Sequence, residues 1–131
     1  MKKYLLPIFL LYITTGAFAK ISENERKIFV TEKLKKQPNL IATYIPGSIC
    51  GSCSIGLFIH IGKLDAVDKK RLNKGLELDV KNQVLFIANK SNAIILIQKI
   101  KKAIEKAGYE PALWYQWDND SLITHSFNED I

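Results

Sequence analysis

Cys50 and Cys53 are the only two cysteines in the chain, and they stand two residues apart in the stretch PGSICGSCS. Thiols at this spacing can close a disulfide, cycle between dithiol and disulfide, or offer two sulfur ligands to a metal. Gly47 and Gly51 allow the loop a tight path, while Gly51 and Ser52 put little over the sulfurs. Upstream, LIATYIP (40–46) is a β-rich run that stops at Pro46-Gly47. Downstream, SIGLFIHIGKLDAV spaces Leu57, Ile61 and Leu64 along one helix face. The pair therefore falls where a strand hands over to a helix. Unpaired N–H groups and the positive end of the helix dipole favour a thiolate there.

A structural staple is the weakest use of such a pair. A four-residue ring contributes only about 2 kcal/mol in the loop-entropy picture, against about 3 for a fifteen-residue loop, and it tends to be strained. Thioredoxin-like oxidoreductases also carry CxxC after a strand, at a helix start. They need a further C-terminal helix, however, whereas the last elements expected here are a strand and a polar tail, and no aromatic residue directly precedes Cys50. A closed zinc site wants four ligands. His60, seven residues past Cys53, would lie about 10 Å along the helix axis and is expected as a packing or surface residue. His125 belongs to the predicted tail. Two sulfurs suffice for Cu(I) or Hg(II), which soft thiolates select. An exposed, under-coordinated site also lets a partner's thiolate add before the first ones leave.

The remaining pattern supplies the elements that must hold this loop. Ser22 with Glu25 is a capping box opening a helix over SENERKIFVTEKLKKQ, with Ile28, Phe29 and Leu34 toward one side, stopped by Pro38-Asn39. GLELDV (75–80) alternates, Lys81-Asn82-Gln83 turns, and VLFIA (84–88) returns as a hairpin arm. Ser91 or Asn92 can cap a helix whose stripe runs Ala93, Leu96, Ile97, Ile100, Ala103, Ile104 and Ala107, closed by Gly108. YEPALWYQW (109–117) reads as a last strand and 118–131 as a polar, acidic tail. Trp114, Tyr115 and Trp117 form an aromatic group there, with the N-terminal helix as the expected cover of one face. Right-handed crossovers then predict an α+β, ferredoxin-like βαββαβ sandwich: a four-stranded antiparallel sheet with two helices on one face, plus a short N-terminal helix.

With these residues in view, the chain resembles the heavy-metal-associated domains, among them copper chaperones and mercury-binding periplasmic proteins. GSICGSC is similar to that family's GMTCxxC loop, AIEKAGYEP (103–111) to its closing helix, KLDAV (63–67) to its K-x-D-G-V turn, and LDVKNQVLF to its second and third strands. The likeness covers about residues 40–117. It implies that Cys50 and Cys53 bind the metal and that Tyr109 lies in the loop beside it; Gly47 and Ser52 are further candidates around the site, and from the residues alone Tyr109 is equally a strand-start aromatic packed on the sheet. Ile49 stands where zinc-preferring members carry Asp, which ranks Cu(I) first, Hg(II) second and Zn(II) behind both. Ser48 replaces the family's Met, DKKRLNK (68–74) lengthens a connection by about six residues, and the two ends of the chain fall outside the likeness.

Composition and the N-terminus bound the setting. The chain of 131 residues suits one domain. Lys2 and Lys3, the apolar run Leu5–Ile13 and Ala17-Phe18-Ala19 read as a cleavable signal peptide over 1–19; an uncleaved anchor is the alternative. The expectation is an exported protein, periplasmic or secreted. Cleavage would lower the net charge from +6 to +4, because only Lys2 and Lys3 are lost. Such mild basicity is too weak for a nucleic-acid binder and fits an acidic protein partner or an anionic ligand; DKKRLNK reads first as a solvated loop and second as a docking patch. The organisation expected is 20–39 extension, 40–117 domain and 118–131 tail. The function expected is a monomeric metal carrier, not an enzyme, passing one ion to a metal-transporting membrane protein or another thiol-bearing acceptor. A periplasmic dithiol oxidoreductase and a degenerate interaction module are the alternatives.

Overall fold

A computed structural model describes residues 22–49, 54–90 and 93–128. Three helices and five strands follow in the order α1 (Glu23–Lys36), β1 (Leu40–Tyr44), α2 (Ile55–Gly62), β2 (Leu76–Asp79), β3 (Val84–Ala88), α3 (Ala93–Lys106), β4 (Leu113–Asp118) and β5 (Ser121–Ser126). The strands form one antiparallel sheet in the order β2-β3-β1-β4-β5, so the protein is α+β. The stretch 1–19 read as a signal peptide and the Ser91/Asn92 cap lie outside the described residues.

The expected four-stranded sheet is a five-stranded one. Residues 121–126, read from sequence as part of a loose tail, pair along their whole length with β4, from Asp118↔Ser121 to Leu113↔Ser126. The device is the turn: Asn119 and Asp120 take φ of +50° and +60°, the double left-handed geometry of a type I′ hairpin. Asn and Asp tolerate that geometry, so a polar stretch that resembled a tail is a hairpin loop and a half-buried edge strand.

Side-chain alternation sends the sheet's residues to two separate cores. On one face Ile41, Ile45, Leu76, Leu85, Ile87 and Trp114 meet Leu57 and Ile61 of α2 and Ile97, Ile100 and Ile104 of α3. On the other, Leu40, Ala42, Val84, Phe86, Ala88 and Tyr115 meet Val30 and Leu34 of α1. With helices on both sides, all five residues of β3 are buried, and so are the first four of β1.

Helix α1 starts as its capping box predicts, with Ser22 Oγ accepting from the Glu25 N–H at 3.1 Å. Its inner face is Arg26, Val30 and Leu34, one turn apart; Ile28, expected inward, is 61% exposed. Arg26 is 6% exposed. Its Nε donates to the Tyr115 hydroxyl at 3.1 Å, and its guanidinium carbon lies 3.6 Å from the centre of the Tyr44 ring. An Arg–aromatic contact of this kind strengthens as water is excluded. The helix thus covers the second sheet face, including Tyr115 and, at its margin, Trp117, while Trp114 turns to the α2–α3 side.

Two measurements check this architecture. Tyr115→Phe should lower the unfolding free energy by about 1–3 kcal/mol in a urea titration, since Arg26 loses its acceptor in a buried place. Backbone amides along 121–126 should exchange slowly at alternate positions, as ladder pairing with β4 requires; uniformly fast exchange would return that segment to a tail.

Candidate metal centre

The loop that carries the cysteines leaves β1 under tight control. Ile45 N–H donates to the Gln83 carbonyl at 3.0 Å, and Gly47 N–H donates to the Gln83 side-chain Oε1 at 2.7 Å. One residue of the β2–β3 turn therefore holds the departing chain at two points. Gly47 has φ of +93°, a backbone conformation that L side chains resist. Ser48 is fully buried, and its hydroxyl donates to the Ile45 carbonyl at 2.6 Å. A buried polar side chain thus fixes the turn by bonding a main-chain carbonyl three residues back. Ile49 follows with its N–H on the Gly47 carbonyl at 2.9 Å and its side chain 62% exposed.

The chain re-enters at Ser54, fully buried, directly before α2. The first turn of α2 lies close against the end of α3: a Cβ added at Gly56 would sit 3.4 Å from Ala107 Cβ. Helix α3 ends in a Schellman arrangement. Gly108, at φ +94°, donates to the Glu105 carbonyl at 3.0 Å, and Tyr109 N–H donates to the Ile104 carbonyl at 3.2 Å. This closure delivers Tyr109 to the loop, where a Cβ on Gly47 would lie 4.0 Å from Tyr109 Cδ1. Tyr109 and Gly47, expected near the metal loop, are neighbours.

Cys50, Gly51, Ser52 and Cys53 lie outside the described residues; Ile49 and Ser54 bound them on either side. Among the described residues, no three His, Asp or Glu side chains converge as a metal site. His60 sits on α2, one residue before the buried Ile61, and lines a cleft with α3. His125 is part of β5, not of a mobile tail. Its ring stacks on Trp114 at a centroid distance of 4.0 Å, and its Nε2 is 3.3 Å from Gln116 Nε2. The hairpin register that sequence reasoning missed is what fixes His125 there, and its signal was the Asp-Asn-Asp turn at 118–120.

No family model, curated protein or solved structure matches the chain.

Two substitutions rank the constraints on the loop's exit. Gly47→Ala forces an L side chain into the left-handed region and should cost about 1–2 kcal/mol in a chemical unfolding curve. Gln83→Ala leaves Gly47 N–H to water in an exposed turn and should cost less than about 1 kcal/mol. The reverse order would show that Gln83, rather than the backbone angle, dictates the turn.

Proposed function

We propose that this protein is a carrier of one soft metal ion, Cu(I) ahead of Hg(II), bound by Cys50 and Cys53 and passed on by thiolate exchange. The observation that carries the reading is the frame around the CxxC. Its four residues bridge the short link from Ile49 to Ser54, between a strand end held by Gln83 and the first turn of α2, with Tyr109 beside Gly47. A helix start favours the thiolate form, and two thiolates match the low coordination number that Cu(I) accepts.

The strand order β2-β3-β1-β4, with α2 after β1 and α3 after β3, supports reading the central unit as ferredoxin-like, with α1 and β5 as additions. This is the plan that the resemblance to heavy-metal-associated domains implies. In transfer, an acceptor thiolate adds to the bound ion, the Cys50 or Cys53 sulfur leaves, and the second exchange completes delivery. Each exchange swaps one metal–sulfur bond for another, with no change of oxidation state. The protein acts as a carrier rather than an enzyme, in an exported setting where the acceptor is a membrane metal transporter or another thiol protein.

Reduced protein from Lys20 onward, titrated anaerobically with Cu(I) against a chelator, should take up one ion per chain. The Cys50→Ser, Cys53→Ser double variant should take up none. No competition for Cu(I) or Hg(II) by the unchanged protein would overturn the carrier reading. The reduction potential of the pair would then decide whether it is a dithiol oxidoreductase.

A further inference from the structure

The outer side of the α2–α3 layer combines two features that soluble surfaces usually keep apart. Ile55 and Ile59, one turn apart on α2, are 56% and 50% exposed, and Ile49 in the adjoining loop is 62% exposed. With Lys63 a further turn along, Ile55 and Ile59 form an exposed ridge on α2, and the exposed Ile49 lies six residues before Ile55 in sequence. Lysines border this ridge on both sides. Toward α3, a cleft of about 350 Å³ is lined by His60, Lys63, Lys99, Lys102 and Lys106. Toward the 68–74 connection, a second cleft of about 680 Å³ brings Lys69 and Lys74 beside Ile59 and Phe58. The ion pairs among the described residues are Lys27–Glu23 and Lys33–Glu77, so none of these lysines is neutralised by one, and the neighbouring acids Asp65 and Glu105 pair with none of them.

We infer that this face docks on a membrane surface rich in anionic phospholipid. Branched apolar side chains on a convex helix enter the headgroup boundary without needing a matching pocket. Lysine stems lie along the same apolar layer while their ammonium groups reach lipid phosphates. A protein partner would have to supply both a groove for the isoleucines and acids on its two rims; a fluid anionic surface supplies both at once. Each lysine close to such a surface strengthens attachment several-fold, and the attraction fades with salt. Because Ile55 follows Cys53 by only two residues in sequence, docking through Ile55 favours meeting an integral-membrane acceptor at the cysteine pair.

The inference stands apart from the metal reading, since no cysteine takes part. Both cores draw their members from residues 29–127, so protein starting at Lys20 contains the folded unit and lacks the apolar 5–13 stretch that would itself enter bilayers. This protein should float with phosphatidylglycerol–phosphatidylcholine vesicles, not with phosphatidylcholine alone, and rising salt should release it. Ile55→Ser with Ile59→Ser should weaken binding about tenfold or more, and Lys99→Gln, Lys102→Gln, Lys106→Gln at least about tenfold. Circular dichroism should report the same fold in each, as these side chains lie outside both cores. The Cys50→Ser, Cys53→Ser variant should bind vesicles like the unchanged protein. Equal binding to neutral vesicles, or unaltered binding by both surface variants, would overturn the inference. Capture by polyglutamate at concentrations where vesicles are ignored would do so too, and would assign the face to an acidic protein.

Discussion

The strands β1 and β3, paired five residues in register from Leu40↔Ala88 to Tyr44↔Val84, send buried side chains to both faces of the sheet, and this constraint shapes the rest of the molecule. A two-strand core apolar on both sides must be covered twice. One cover comes from α2 and α3, linked to the sheet by its own crossovers; the other comes from α1, placed ahead of the first strand. Arg26 shows how closely the second cover fits. A buried guanidinium costs much unless its N–H groups are met and its flat face is packed. The Tyr115 hydroxyl of β4 accepts from the Nε–H, and the Tyr44 ring of β1 packs against the flat face. Helix α1 is therefore tied to two strands at once, and an ion pair from Lys33 to Glu77 ties it to a third.

The same register governs the loop. Tyr44 opposite Val84 sets the end of β1 against the β2–β3 turn, so Gln83 is in place to hold Ile45 and Gly47. Ala112 N–H on the Tyr44 carbonyl brings the segment after α3 to the same end, with Tyr109 just ahead of it. Strand pairing thus does the long-range work, and Ser48 and Gly47 supply the local geometry.

Periodicity made the helices and the first four strands legible, because each buries a regular stripe: Leu57 and Ile61 in α2, Ile97, Ile100 and Ile104 in α3, and all of VLFIA in β3. Where the pattern misled, a polar residue did structural work. In α1 the inward positions begin with an arginine, so apolar counting favoured Ile28, which faces water. In β5 the strand SLITHS is polar at four of its six positions, because an edge strand buries little, and its turn reads as a run of acids and amides until both central residues take positive φ. Of the site, Gly47 and Tyr109 were legible as candidates, and the structure sets them side by side. The grip of Gln83 was not, since a side-chain hydrogen bond across 36 residues leaves no mark in spacing.

One more result of the register concerns handling. Arg26 stacks on Tyr44 near the start of α1, and Phe127 N–H bonds the Ala112 carbonyl just past the end of β5. Ser22 and Asn128 therefore share the pole of the molecule where Ile45, Gly47 and Ser48 leave the sheet. A tag, dye or surface linker attached at either of those ends would crowd the cysteine loop. The Asn119-Asp120 turn and the Pro38-Asn39 bend stand at the opposite pole, and a label placed there leaves the loop open to whatever approaches it.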